Sequence, residues 1–161
     1  MQYVRCVRWL LVLAMSATAY ADPCPRDTTI VVDTSSHRLS LCAAGSAVHE
    51  YAVALGRGGV GKAREGDRKT PIGSYALAAP RASAKFHQFI AVGYPTRAQR
   101  AQGLTGGDIG IHGPSRKYAW LGRLRNHVDW TDGCIAVATD GAIDEIAAWM
   151  VRARPARVII R

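Results

Sequence analysis

The chain has 161 residues, 48% of them hydrophobic, which is one domain's worth of core with no repeat or low-complexity tract. A formal net charge of +9 would suit a nucleic acid, an anionic membrane or an acidic polymer. The arginines are spread along the chain, without a recognition-helix pattern or aromatic ladders between basic residues, and this argues against nucleic acid.

Residues 1–21 open with Arg5 and Arg8, continue through the apolar run Trp9 to Met15 and end in Ala19-Tyr20-Ala21. That order of charge, apolar run and small residues reads as a secretory signal peptide cleaved after Ala21, with an uncleaved anchor as the alternative. Cleavage leaves a single domain over 22–161 and lowers the charge from +9 to +7, and no other segment reads as a membrane span. Cys6 leaves with the signal, so Cys24, Cys42 and Cys134 enter an oxidising compartment. An odd count suggests one pair and one free thiol. If Cys134 is the free one, Cys24 pairs with Cys42, a link worth on the order of 3 kcal/mol. The alternative leaves Cys24 unpaired in the tail and Cys42 in the core.

Thr28–Asp33 and Arg38–Cys42 read as a hairpin joined by a polar turn that contains His37, and Val48–Leu55 reads as a further strand with His49 facing solvent. Gly56–Lys62, G-R-G-G-V-G-K, satisfies the first part of a phosphate-binding loop. Ala63 stands where a magnesium-binding hydroxyl is needed, and no helix pattern follows. We expect a flexible basic loop over 56–69. Pro71 and Gly73 set the entry of a strand over Ile72–Ala78, an architectural role. In 81–94, Phe86 and Phe89 are expected in the core, while His87 and Tyr94 are candidates to face a cleft. Pro95–Gln102 has the composition of a short basic helix with little apolar face and is expected to be a solvated turn.

Ile109 and Ile111, then Ile135 and Val137, alternate with small or polar residues as short strands ending at a shared site do. Asp140–Arg152 reads as a helix with Ile143, Ile146, Ala147, Met150 and Val151 on its buried face, capped by Thr139 or Asp140 and stopped by Pro155. Arg157–Arg161 reads as a closing strand. The five histidines show no close pairing and no zinc-type spacing, so neither a metal nor another cofactor is expected.

Chemistry points to Cys134 and His112. Cys134 enters an aliphatic strand from Gly133, and His112 sits in Gly110-Ile111-His112-Gly113, so each lies where backbone can turn sharply. A thiol of pKa ~8.5 is only a few per cent ionised at neutral pH and needs a base, which His112 can supply. His127 with Asp129 is a rival base and orienter.

Three spaced elements, Thr70-Pro71-Ile72-Gly73-Ser74-Tyr75, His112-Gly113 and Thr131-Asp132-Gly133-Cys134-Ile135, resemble the L,D-transpeptidase catalytic domain (YkuD-like) family in the same order. The likeness runs from about Thr28 to Arg161. It implies a mainly β fold, a single sandwich or barrel domain with one C-terminal helix packed on the sheet. It also implies thioester chemistry on peptidoglycan stem peptides. Cys134 would be the nucleophile and His112 the base, oriented by the carbonyl of Gly113, with the amides of Gly133 and Cys134 stabilising the oxyanion. Thr131 and Tyr94 would lie against substrate. The acyl acceptor would be an amine on another stem or on an envelope lipoprotein, and some relatives hydrolyse instead. The implied location is the periplasm or cell envelope.

Two positions depart from the family pattern. Ala136 stands where many members carry Arg or Asn, and Asp132 puts a carboxylate near the thiol, which opposes activation unless it turns away or meets a basic neighbour. Two other classes fit less well. A papain-like peptidase is disfavoured because those families place Cys before His, and a non-catalytic envelope-binding module would not need a reactive thiol.

Overall fold

The structure, a computed structural model, describes residues 24–116 and 128–161. Strands β1 (Thr29–Asp33), β2 (Arg38–Ala43) and β3 (Ser46–Ala54) form an antiparallel meander, with Val32 opposite Leu39 and Leu39 opposite Tyr51. The turn between β1 and β2 closes on the Asp33 carboxylate, which accepts from the Ser35 and Ser36 amides at 3.0 Å each. His37 lies in that turn with φ 52°.

After the meander come β4 (Gly73–Ala76), β5 (Arg81–Ser83), β6 (His87–Ala91), the short helix α1 (Arg97–Ala101), β7 (Gly110–His112), β8 (Ile135–Val137), helix α2 (Asp140–Ala153) and β9 (Arg157–Ile160). They join in one nine-stranded sheet of order β4-β9-β1-β2-β3-β8-β7-β6-β5. Beyond β4 and β6, Leu77 bridges Val92, and the Ala78 amide donates to the Ala91 carbonyl at 2.9 Å. The sheet therefore curls on itself. This is the mainly β domain with one C-terminal helix that the sequence implies.

Helix α2 begins at Thr139, whose hydroxyl accepts from the Ala142 amide, and ends at Arg154 in the left-handed conformation just before Pro155. It buries Ile143, Ile146, Ala147, Trp149 and Met150 against the curled face, together with Ile30, Leu39, Ile90, Ile111 and Ile135. Val151, expected on that face, is 67% exposed, and Trp149 on the opposite flank reaches in instead. Both positions border the apolar stripe, so a large indole in contact with the core decides which flank turns inward.

On the other face of the meander, Val31 and Ile159 pack with Cys24 and Cys42, which form a disulfide across 18 residues of sequence. Of the two states open for these cysteines, the paired one is found. Strand β1 is consequently buried on both faces, and Val31 and Ile159 keep the disulfide dry.

The glycine-rich loop is folded, against the expectation of a flexible segment. Val60 bridges Thr70, and the Thr70 hydroxyl accepts from the Gly56 amide at 2.9 Å. A Cβ on Gly56 or Gly58 would lie 2.4 Å from the Arg68 carbonyl or 2.3 Å from that of Asp67, so the two halves of the loop touch backbone to backbone. The Lys62 ammonium is buried against Asp67 at 2.8 Å. That pairing leaves the lysine no role in gripping phosphate. Likewise 97–101 is a helix and not a bare turn, because Thr96 and Gln99 form a reciprocal capping box.

Candidate active site

The site forms where β7 and β8 run parallel, with Ile111 opposite Ile135 and His112 opposite Ala136. Side chains two apart on a strand share a face, and directly paired residues point the same way. That register puts Cys134, one residue before β8, level with Gly110 and on the face of His112. Two residues 22 positions apart in sequence are thus carried by adjacent parallel strands, His112 at the end of β7 and Cys134 at the entry of β8.

His112 is 1% exposed. Its Nδ1 donates to the Gly113 carbonyl at 2.7 Å. A carbonyl can only accept, so this contact fixes the proton on Nδ1 and leaves the basic lone pair on Nε2. The ring is stacked by Phe86 at 3.8 Å between centroids and met edge-on by Trp130 at 5.9 Å. Gly113 has to be glycine: a Cβ there would fall 2.7 Å from the Phe86 carbonyl and 2.9 Å from Cγ2 of Ile143. Gly110 is dictated the same way, since a Cβ would meet the Phe89 ring at 2.3 Å.

Cys134 is the free cysteine among the described residues. Its thiol donates to the Asp108 carbonyl at 3.4 Å. Burial pushes the thiol up to about 11; the Gly110 amide pulls against this, Asp108 adds to it, Lys85 opposes it and Asp132 adds a little more. The resting group is therefore a thiol, and any nucleophile must be generated by a base. Asp132 does turn away: its exposed carboxylate meets the Arg57 guanidinium at 2.7 Å, with Arg68 at 4.0 Å.

The turn before the sulfur is built on Thr131. Its hydroxyl donates to the Cys134 carbonyl at 2.7 Å and accepts from the Gly133 amide at 3.1 Å. Gly133 adopts φ 129°, and a Cβ would lie 2.6 Å from the Lys69 carbonyl. Thr131 is thus buried scaffolding for the turn before Cys134, which accounts for a Thr at this point.

Tyr94 is not brought to the site. It is 5% exposed, lies edge-on to Tyr75 in the core and donates its hydroxyl to the Lys62 carbonyl at 3.1 Å. A tyrosine next to proline at a strand end reads equally well as cleft or core from sequence, and a buried acceptor decided it here. His87, the other cleft candidate, is bound to the Asp144 carboxylate at 2.9 Å. The rival base His127 lies outside the described residues. Its suggested partner Asp129 accepts from the Leu55 amide at 2.7 Å and pairs with His37 at 3.2 Å. Phe86 is the site residue that sequence reasoning missed, since its place against His112 carries no signal apart from the fold.

Between Asp108 and Asp132 a groove of about 430 Å³ is lined by Arg57, Lys62, Arg68 and Gly106. A larger cavity of about 760 Å³, lined by His37, Arg38, Tyr51, Thr139 and Glu145 among others, includes neither Cys134 nor His112. Among the described residues, no group of three or more His, Cys, Asp or Glu side chains could hold a metal ion, and no helix is long and apolar enough to cross a membrane.

No curated protein matches the sequence. The fold is similar to that of the helical cell shape determining protein Pgp2 from Campylobacter jejuni, at 24% identity and TM-score 0.64 over 82% of this chain and 46% of that one. It is also similar to Bd1075 of Bdellovibrio bacteriovorus, at 20% identity and TM-score 0.59 over 83% and 47% of the two chains. An L,D-transpeptidase mutant of Enterococcus faecium gives 16% identity and TM-score 0.56 over 84% and 50%. The chain spans about half the length of these structures, and at such identities the likeness is one of fold. Residues 27–160 match the model of the L,D-transpeptidase catalytic domain, YkuD, so that with its His112-Gly113 and Cys134 elements the chain belongs to that family.

Proposed function

We propose that the chain is a cysteine acyltransferase that acts on peptidoglycan stem peptides through a thioester. One observation supports the reading most: β7, which ends in His112, pairs in parallel with β8, which Cys134 enters, while the Gly113 carbonyl fixes the tautomer of His112. Nε2 of His112 takes the thiol proton, and the sulfur attacks the carbonyl of the L-centre of the stem diamino acid. Because the resting thiol sits near 11, the base is indispensable. The Cys134 amide is the first donor to the oxyanion. The Gly133 amide becomes a second only by leaving the Thr131 hydroxyl. His112 then protonates the departing amine. A second amine, on another stem or on an envelope lipoprotein, opens the thioester; where water enters instead, the same site is a hydrolase. The proposed setting is the periplasm or cell envelope, with residues 1–21 as the export signal and 22–161 as the catalytic domain.

The test is the mass of products from a purified stem tetrapeptide with and without an acceptor amine. A cross-linked product, with a Cys134 acyl adduct on the intact protein, is the expected result. Release of free acid alone assigns the hydrolase. Turnover undiminished in Cys134→Ala would refute both, and a wild-type chain that binds the stem peptide without product or adduct would be a binding module.

A further inference from the structure

We propose that Phe86 is a positioning residue for His112 whose aromatic face also stabilises the imidazolium formed when Cys134 gives up its proton; this rests on the His112–Cys134 pairing above. Phe86 and His112 are stacked at 3.8 Å with their planes 20° apart, a face-on contact with a ring that is 1% exposed. An aromatic face is electron-rich and attracts a cation set over it, the more so when both are shielded from water. Proton transfer creates such a cation: the S–H bond of Cys134 breaks, its electron pair stays on sulfur, and the proton joins Nε2. The stack is therefore stronger after the transfer than before it. A half-buried thiol whose surroundings push it up needs that bias.

The loop that carries Phe86, between β5 and β6, is fastened on three sides. The Arg116 amide donates to the Lys85 carbonyl at 3.0 Å, and the Gly113 amide to that of Gln88 at 3.4 Å, tying the loop to the chain just after His112. His87 and Gln88 both hold Asp144 on α2, at 2.9 Å and 2.6 Å. His87 does so with φ 65°, a left-handed backbone that turns the chain from Phe86 into β6. The Phe86 carbonyl itself lies so close to Gly113 that a Cβ there would come within 2.7 Å. One short loop thus touches the base, the glycine whose carbonyl orients the base, and the helix beneath. The charged groups around this assembly are Lys85, 5.0 Å from the Phe86 centroid, Arg116 beside His87, Asp140, whose Oδ1 sits 3.6 Å from the Cβ position of Gly113, and Asp144.

The experiment measures the alkylation rate of Cys134 by iodoacetamide against pH, followed by peptide mass on the full chain. Wild type, Phe86→Leu, Phe86→Tyr and His112→Gln are compared, each checked for an unchanged thermal unfolding transition. Leucine keeps bulk without the aromatic face, and tyrosine keeps both. We expect an acid limb in wild type, absent in His112→Gln and lowered about three- to tenfold in Phe86→Leu, with Phe86→Tyr close to wild type. Identical limbs in wild type and Phe86→Leu would overturn the inference while leaving the pair intact. So would a Phe86→Tyr limb as low as that of leucine. Identical profiles in wild type and His112→Gln would instead remove the pair, and the proposed function with it.

Discussion

Replacing Asp67 by alanine is the sharpest structural test of how the groove between Asp108 and Asp132 is held. The Asp67 carboxylate accepts from the Lys62 ammonium and the Ala63 amide at 2.8 Å each, from the Arg64 amide at 3.0 Å and from the Lys69 amide at 3.1 Å. Lys62 is covered in turn: its side chain is 4% exposed, and a Cβ on Gly106 would fall 3.1 Å from its Cε. Asp67→Ala strands a buried ammonium, a loss of about 3–5 kcal/mol. With a urea slope of about 1.5 kcal/mol/M, the midpoint falls by roughly 2–3 M. The double variant Lys62→Met/Asp67→Leu, which leaves no charge stranded, recovers most of that. The pH dependence follows from the same contacts. Burial alone would push the Asp67 carboxyl up, but the Arg64 amide, the Lys62 ammonium and the amides of Ala63 and Lys69 prevail and hold it well below the usual carboxylate range. Its contribution is therefore complete above pH ~4, the unfolded value, and drains away as the pH falls below it. Asp67→Asn flattens that acid limb. Urea unfolding from pH 7 down to pH 3 reads both effects, and a cost below about 1 kcal/mol for Asp67→Ala would refute the reasoning.

Three further outcomes are expected. Gly133→Ala places a Cβ 2.6 Å from the Lys69 carbonyl at a φ of 129°, so it destabilises the fold by about 2–4 kcal/mol and cuts Cys134 alkylation, as denaturant melts and adduct masses will show. Cys24→Ser/Cys42→Ser lowers stability by about 3 kcal/mol and leaves the alkylation profile of Cys134 unchanged, because the disulfide lies on the far face of the meander. Asp132→Asn removes a carboxylate that raises the thiol, so alkylation at fixed pH quickens by about twofold; a slower rate would contradict the assigned sign.

Patterns that depend on near neighbours were legible in the sequence. The β1–β2 hairpin, helix α2 with its Thr139 cap and stop at Pro155, and the spaced glycine elements around His112 and Cys134 all follow from local alternation, capping and turn chemistry. Features set by distant chain were not. Lys62 looked like one more cation of a solvated loop until Asp67 and Gly106 closed over it. Tyr94 was drawn inward by a carbonyl 32 residues away, and the Gly133 amide was engaged by a hydroxyl whose orientation no spacing reveals. Phe86, expected in the core, is half-buried outside it and packs on the imidazole, a placement that depends on a turn bolted to α2, 57 residues on from His87.

Strands β8 and β9, the last two in the chain, both slot between strands made much earlier: β9 between β1 and β4, β8 between β3 and β7. Neither side of the meander is covered until they arrive, so a nascent or truncated polypeptide ending before Ile135 carries two bare hydrogen-bonding borders. Such intermediates are sticky, and assembly cannot simply follow the order of synthesis. Because β8 is entered from Cys134, the proposed catalytic pair comes together only as the sheet is sealed.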